Sequence, residues 1–148
     1  MSSLEIRTPD DFHVHLRQGP AMATYAARAA RHFGRFLAMP NVVPPLTGPA
    51  ALADYRRAVA AAVAASGYAS TPLACFKLVP GMGREAVLAC AAAGAVAGKY
   101  YPAGSTTNAS DGVPEPAAVA DELAAMQDAG LVLSIHGEDP SAPALERE

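Results

Sequence analysis

Short apolar runs alternate along the chain with longer stretches whose apolar residues recur every three or four positions. The short runs predict strands, and five can be identified, at residues 11–16, 35–39, 73–79, 95–101 and 131–136. Strands that alternate with helices are typical of βα units that build a parallel sheet. The pattern therefore predicts an α/β fold.

The stretches between these runs have a helical period. The clearest begins at Pro49, ends at Gly67 and has Leu52, Tyr55 and Val59 on one side. Proline at a helix start and glycine just past its end are typical helix boundaries. The stretches 20–34 and 119–130 repeat this design, and each helix is expected to cover one side of the sheet.

The connections after strands differ from those after helices. Segments that follow helices are short and end in glycine, whereas those that follow strands are rich in proline and polar residues, as at 40–45 and 102–108. In parallel α/β sheets the carboxyl ends of the strands carry the chemistry. A functional site is therefore expected in the loops that leave the strands.

Composition narrows the class of protein and its setting. The chain has 148 residues, of which 51% are hydrophobic and 17% charged, so it can bury a sizeable core. Its net charge of −3 gives no basic patch, and it contains no apolar run long enough to span a bilayer. Its two cysteines form no metal-binding or redox motif. These features argue against nucleic-acid and membrane partners and favour a cytoplasmic location.

His13 and His15 flank Val14 at the end of the first predicted strand. Because side chains alternate with period two, both imidazoles are expected to point the same way while Val14 packs behind them. That arrangement suits two ligands of one metal ion. A pair of strand histidines that only form hydrogen bonds is the alternative, and the three residues alone favour neither interpretation.

Lys99 lies within an apolar strand, where a charged ammonium is costly to bury unless it is paired or modified. The chain has nine arginines and only two lysines, and a primary amine, unlike a guanidinium, can take up CO₂ as a carbamate. An ammonium that reaches solvent at the strand end is the alternative, and position alone favours it. His136 ends the fifth run and so lies at the carboxyl end of a predicted strand, where a functional site is expected. The alternative is a core histidine that only forms hydrogen bonds. His32, in the last turn of a helix, is assigned a structural role.

Four separated blocks of sequence resemble the amidohydrolase superfamily and, within it, the dihydroorotases of the shorter bacterial type. The blocks are DDFHVHLR at 10–17, MPNVVPP at 39–45, KYYPA at 99–103 with TTN at 106–108, and HGE at 136–138. The resemblance implies a partial (β/α)8 barrel of the TIM type with about the first five βα units, not closed in this chain. Residues 1–148 would be the amino-terminal part of a single barrel domain.

The resemblance also implies a metal centre with two zinc ions. His13 and His15 would bind one Zn²⁺, Lys99 as its carbamate would bridge two, and His136 would bind the second. Arg17 would bind the substrate carboxylate, and Asn41 would assist it. Two further substrate-binding residues, Thr106 and Thr107, would lie at the tip of a mobile loop. The aspartate that acts as the general base is expected beyond residue 148.

The implied reaction is the reversible interconversion of dihydroorotate and N-carbamoyl-L-aspartate in pyrimidine biosynthesis, with zinc-bound hydroxide as the nucleophile. The complete protein is expected to be a homodimer, and a five-stranded piece is expected to be a poor catalyst by itself. Two alternatives remain open. One is another cyclic amidohydrolase of the hydantoinase or allantoinase type, and the other is a noncatalytic half-barrel that binds or scaffolds a partner.

Overall fold

The computed structural model describes residues 3–105, 110–138 and 141–143 of the chain. Within these ranges five parallel strands form one sheet in the order β1-β2-β3-β4-β5. The elements, in chain order, are β1 Asp11–Val14, α1 Ala21–His32, β2 Arg35–Ala38, α2 Pro49–Ser66, β3 Thr71–Lys77, α3 Gly83–Ala92, β4 Ala97–Tyr100, a 3-10 turn Pro116–Val119, α4 Ala120–Asp128 and β5 Val132–Ile135. The predicted α/β fold is confirmed, and the sheet is an open part of a barrel.

The predicted boundaries are close to the observed ones. The first strand is shorter than the predicted 11–16 run because its pairing with β2 is irregular and ends at Val14. The third strand begins earlier, at Thr71. Helix α2 starts with Pro49 and is closed by Gly67, whose φ of 75° lies in the left-handed region that glycine adopts without steric cost.

The two faces of the sheet bury different side chains. The outer face packs against the helices and supplies most of the core, including Phe36, Phe76 and Leu78. A smaller apolar cluster on the inner face contains Leu37, Met39, Cys75 and Ala97, with Leu73 packed against it. Because successive side chains of a strand alternate between the faces, the inner-face residues continue toward the carboxyl ends of the strands, where the candidate site lies.

Close packing between β4 and α4 requires a glycine in the sheet. A Cβ atom at Gly98 would lie 2.7 Å from Sδ of Met126 and 2.8 Å from Cζ of Phe76. Such distances are far below ordinary van der Waals contact. Gly98 therefore lets α4 approach the strand that carries Lys99.

Strand β5 ends the sheet with apolar side chains in contact with solvent. Val132, Leu133 and Ile135 have 64%, 39% and 59% of their surface exposed. Alternate residues of this strand face opposite sides of the sheet, so both sides of β5 lack cover from the described residues. In the same described part of the chain, no helix is long and apolar enough to cross a membrane.

Candidate metal centre

The two histidines at the end of β1 face each other. Nε2 of His13 lies 3.2 Å from Nε2 of His15, and the ring centroids are 5.2 Å apart. Val14, between them, is partly buried and packs against the helix-side core. Both imidazoles are more than one-third exposed, so they lie at the open end of the strand and not within the core.

A separation of 3.2 Å between the Nε2 atoms is compatible with two kinds of contact. One imidazole can donate to the other when their tautomers are complementary. Alternatively, two nitrogens that bind one zinc ion tetrahedrally at 2.0–2.1 Å would be about 3.3 Å apart. The pair therefore fits a zinc ion without a change in the separation of its two nitrogens.

The protonation of both histidines also suits a metal. Loss of solvation lowers the pKa of His13 first, and the nearby charges of Lys99 and His136 lower it further. Burial is again the largest cause of the lowered pKa of His15, followed by the charge of Arg17. Because metal ions bind neutral imidazole, both rings are held in the form that can coordinate.

Lys99 lies in the middle of the inner face with none of its surface exposed. Its Nζ has no hydrogen-bond partner among the residues that the structure describes. Burial lowers the pKa of this amine, and Cys75 partly offsets the effect. An unpaired buried ammonium is costly, so the surroundings shift Lys99 toward its neutral form, which is the form that reacts with CO₂.

His136 follows β5 and continues its ladder, because its main-chain N–H donates to the carbonyl of Tyr100 at 3.0 Å. Its Nε2 lies 3.3 Å from Oε2 of Glu138, but outside hydrogen-bonding geometry. Its ring centroid is 5.8 Å from that of the buried Tyr101, and Nζ of Lys99 is 5.3 Å from the same ring. Tyr101 thus lies close to two of the proposed metal ligands.

The predicted substrate-binding residues lie beside the histidine pair or outside the described residues. Asn41 is buried and its side chain forms a hydrogen bond with His15. Arg17 is exposed and adopts a φ of 63°, a conformation that costs energy for residues other than glycine. Thr106 and Thr107 lie outside the described residues.

Two residues that the sequence analysis did not select lie near the site. Lys77, at the end of β3, has 1% of its surface exposed and forms an ion pair with Asp111. The inward direction of Lys77 could have been read from the period-two pattern of its strand, which also places Cys75 inward. Its pairing with Asp111 spans 34 positions and has no local signal. Cys75 itself is an unsuitable ligand, because burial raises the pKa of its thiol to about 12.

Among the described residues, His, Cys, Asp and Glu side chains nowhere form a group of three or more that could hold a metal ion. His13, His15 and His136 therefore do not come together as one set of three ligands among these residues. The structure brings His13 and His15 into direct contact. Lys99 and His136 are near enough to affect the pKa of His13.

Comparison with known proteins identifies relatives of the whole chain. No family model matches it. A dihydroorotase from Leptothrix cholodnii is 42% identical over 149 residues, which cover 99% of this chain and 43% of that protein. Among solved structures, dihydroorotase from Campylobacter jejuni has a TM-score of 0.80 at 28% identity. The match covers 94% of this chain and 43% of the Campylobacter jejuni chain. Dihydroorotase of Saccharomyces cerevisiae, in complex with 5-fluoroorotic acid, has a TM-score of 0.79 at 30% identity, with 95% of this chain and 38% of that chain covered.

The chain shares with these solved structures the strands and helices of a partial (β/α) barrel. Its sequence is similar to the amino-terminal part of the dihydroorotases. It spans about 43% of the length of the curated relatives that it matches.

Proposed function

We propose that this chain supplies the amino-terminal half of the metal centre of a zinc-dependent dihydroorotase. The whole protein would interconvert dihydroorotate and N-carbamoyl-L-aspartate reversibly. It would be a cytoplasmic homodimer in which residues 1–148 are part of one barrel domain. The general-base aspartate would lie outside these 148 residues.

One observation carries the proposal: two neutral imidazoles face each other on the same inner face as a buried amine that lacks a hydrogen-bond partner in the described structure. A protein that used these groups only for stability would gain little from them. Burying an unpaired amine lowers stability, and the exposed His13 and His15 contribute little packing. Costly polar groups that gather at the carboxyl ends of parallel strands indicate a functional site.

Four residues of the chain would bind the metal ions. His13 and His15 would bind one zinc ion, the carbamate of Lys99 would bridge two, and His136 would bind the second. Zinc, when bound, lowers the pKa of water and polarises the amide carbonyl of the ring. The hydrogen bond between the Asn41 and His15 side chains would orient the His15 ring, as outer groups commonly do for metal-bound histidines.

The substrate carboxylate would be held beside the metal centre. The charge of Arg17 is close enough to His15 to lower the pKa of that imidazole, so its guanidinium would lie near an anion bound at the metal centre. Its guanidinium can form two parallel hydrogen bonds with a carboxylate. Asn41, Thr106 and Thr107 would complete this binding site, which would favour ring substrates with a carboxylate over hydantoin or allantoin.

A substrate panel tests the proposal. The zinc-loaded protein, in the complete form that includes the remainder of the barrel, would be assayed with dihydroorotate, N-carbamoyl-L-aspartate, hydantoin and allantoin. We expect turnover of the first two, with loss of that turnover in His13→Ala and retention in His32→Ala. Turnover of hydantoin or allantoin without dihydroorotate would establish the other cyclic amidohydrolase activity instead.

A noncatalytic binding role is the second candidate, and the exposed apolar residues of β5 favour it. Val132 and Ile135 lie on a sheet edge that can pair with another polypeptide. This role predicts no stoichiometric zinc and no effect of His13→Ala on any function of the protein. Stoichiometric zinc that depends on His13 would exclude it as the sole function.

A further inference from the structure

The only two lysines of the chain are neighbours across the sheet. Lys77 of β3 and Lys99 of β4 are register partners, so both project from the inner face at the same level. They have 1% and 0% of their surface exposed. Their Nζ atoms lie 5.8 Å and 5.3 Å from the centroid of one ring, that of Tyr101.

The two amines differ in their partners. Lys77 donates to the carboxylate of Asp111, which is half exposed. Nζ of Lys99 has no such hydrogen bond to any residue in the described ranges. The strand pair therefore combines one buried amine that has an ionic partner with one that has no hydrogen-bond partner in the described structure.

We propose that Lys77 is a positioning residue that stabilises the carbamate form of Lys99 through its positive charge. This inference rests on the function proposed above. In the modification, the Nζ lone pair of neutral Lys99 attacks the carbon of CO₂ and an N–C bond forms. One C=O electron pair moves to oxygen, and the amine proton passes to water, which leaves a carbamate with one negative charge.

Lys77 would stabilise the carbamate because the charges at positions 77 and 99 would then have opposite signs. The half-exposed carboxylate of Asp111 offsets part of the Lys77 charge. A second ammonium beside Lys77 is nevertheless repelled and an anion attracted, and both effects are strengthened where water is excluded. Uptake of CO₂ replaces the ammonium of Lys99, which Lys77 repels, with a carbamate anion, which Lys77 attracts. Arginine could supply the same charge at position 77, but a neutral side chain of similar size could not.

The experiment measures carbamate occupancy directly and without catalysis. The purified 148-residue chain would be incubated with ¹³C-bicarbonate in zinc-free buffer, and the carbamate carbon would be quantified by ¹³C NMR. Lys99→Arg identifies the signal that belongs to position 99. Lys77→Met removes the charge, Lys77→Arg retains it, and Lys77→Gln is a second neutral variant if the methionine variant does not fold.

We expect the occupancy of the Lys99 carbamate to fall by roughly threefold or more in the neutral variants and to be retained in Lys77→Arg. Equal occupancy in the wild-type chain and a folded neutral variant would overturn the inference and leave the proposed function intact. An equal loss in Lys77→Arg would also overturn it, because a charge at position 77 would then not be sufficient. Absence of the signal in the wild-type chain would count against both the inference and the carbamate in the proposed function.

Discussion

His13 and His15 lie with their Nε2 atoms 3.2 Å apart at the end of β1. This relationship predicts that His13→Ala weakens zinc binding and lowers the zinc content, since the ion loses one of its two imidazole ligands. His32→Ala is the matched control, because His32 lies in the exposed last turn of α1. Elemental analysis after dialysis measures the result. Equal zinc content in both variants would show that the histidine pair is a hydrogen-bonded contact only.

The lowered pKa values of His13 and His15 predict that the folded chain loses stability as the pH is lowered. The ordinary pKa of a histidine side chain is 6.5. Below it the unfolded chain binds protons that the folded chain excludes, so the free energy of unfolding decreases as pH falls toward the folded-state values. Urea unfolding of the metal-free chain between about pH 5 and 7.5 measures this dependence. A double variant, His13→Gln with His15→Gln, should give a flatter profile, and an unchanged slope would contradict the assignment.

The buried amine of Lys99 predicts a gain in stability on substitution. Lys99→Met keeps a long side chain and removes a polar group that lacks a hydrogen-bond partner in the described structure. The free energy of unfolding of the metal-free chain should rise by about 1–2 kcal/mol, while zinc binding in the presence of bicarbonate is lost. Chemical denaturation in CO₂-depleted buffer measures the first effect. A less stable Lys99→Met chain would indicate that the amine has a stabilising partner.

The backbone of Arg17 predicts a conflict between stability and function. With a φ of 63°, this position should prefer glycine over alanine by about 1 kcal/mol in the free energy of unfolding. Both variants would lose the proposed carboxylate binding, since both lack the guanidinium. Comparison of Arg17→Gly with Arg17→Ala by urea denaturation isolates the backbone term. Equal stabilities would mean that the left-handed conformation at this position carries no strain.

The sequence predicts the strands and the direction of several site residues well, because these depend on short-range periodicity. Period two places His13 and His15 on one face, whereas the position of Lys99 alone favoured an ammonium that reaches solvent, and the structure shows the side chain fully buried. The same reasoning applied to Lys77 would have placed it on the same face as Cys75.

Other features of the site depend on tertiary structure and have no local signal. The ion pair between Lys77 and Asp111 crosses from β3 to the loop after β4. The left-handed backbone of Arg17 cannot be predicted from residue type, since arginine has no preference for that conformation. The register that makes Lys77 and Lys99 neighbours follows from the helix between their strands, whose bounds the sequence analysis did not define.

The central claim is that the imidazoles of His13 and His15 hold one divalent ion at the mouth of the half-barrel. Diffraction from crystals soaked in zinc, recorded on both sides of the zinc absorption edge, tests it most directly. We predict an anomalous peak within about 2.1 Å of both Nε2 atoms, absent from crystals of His13→Ala. Zinc bound elsewhere on the chain, with His13 and His15 still in contact with each other, would contradict the claim.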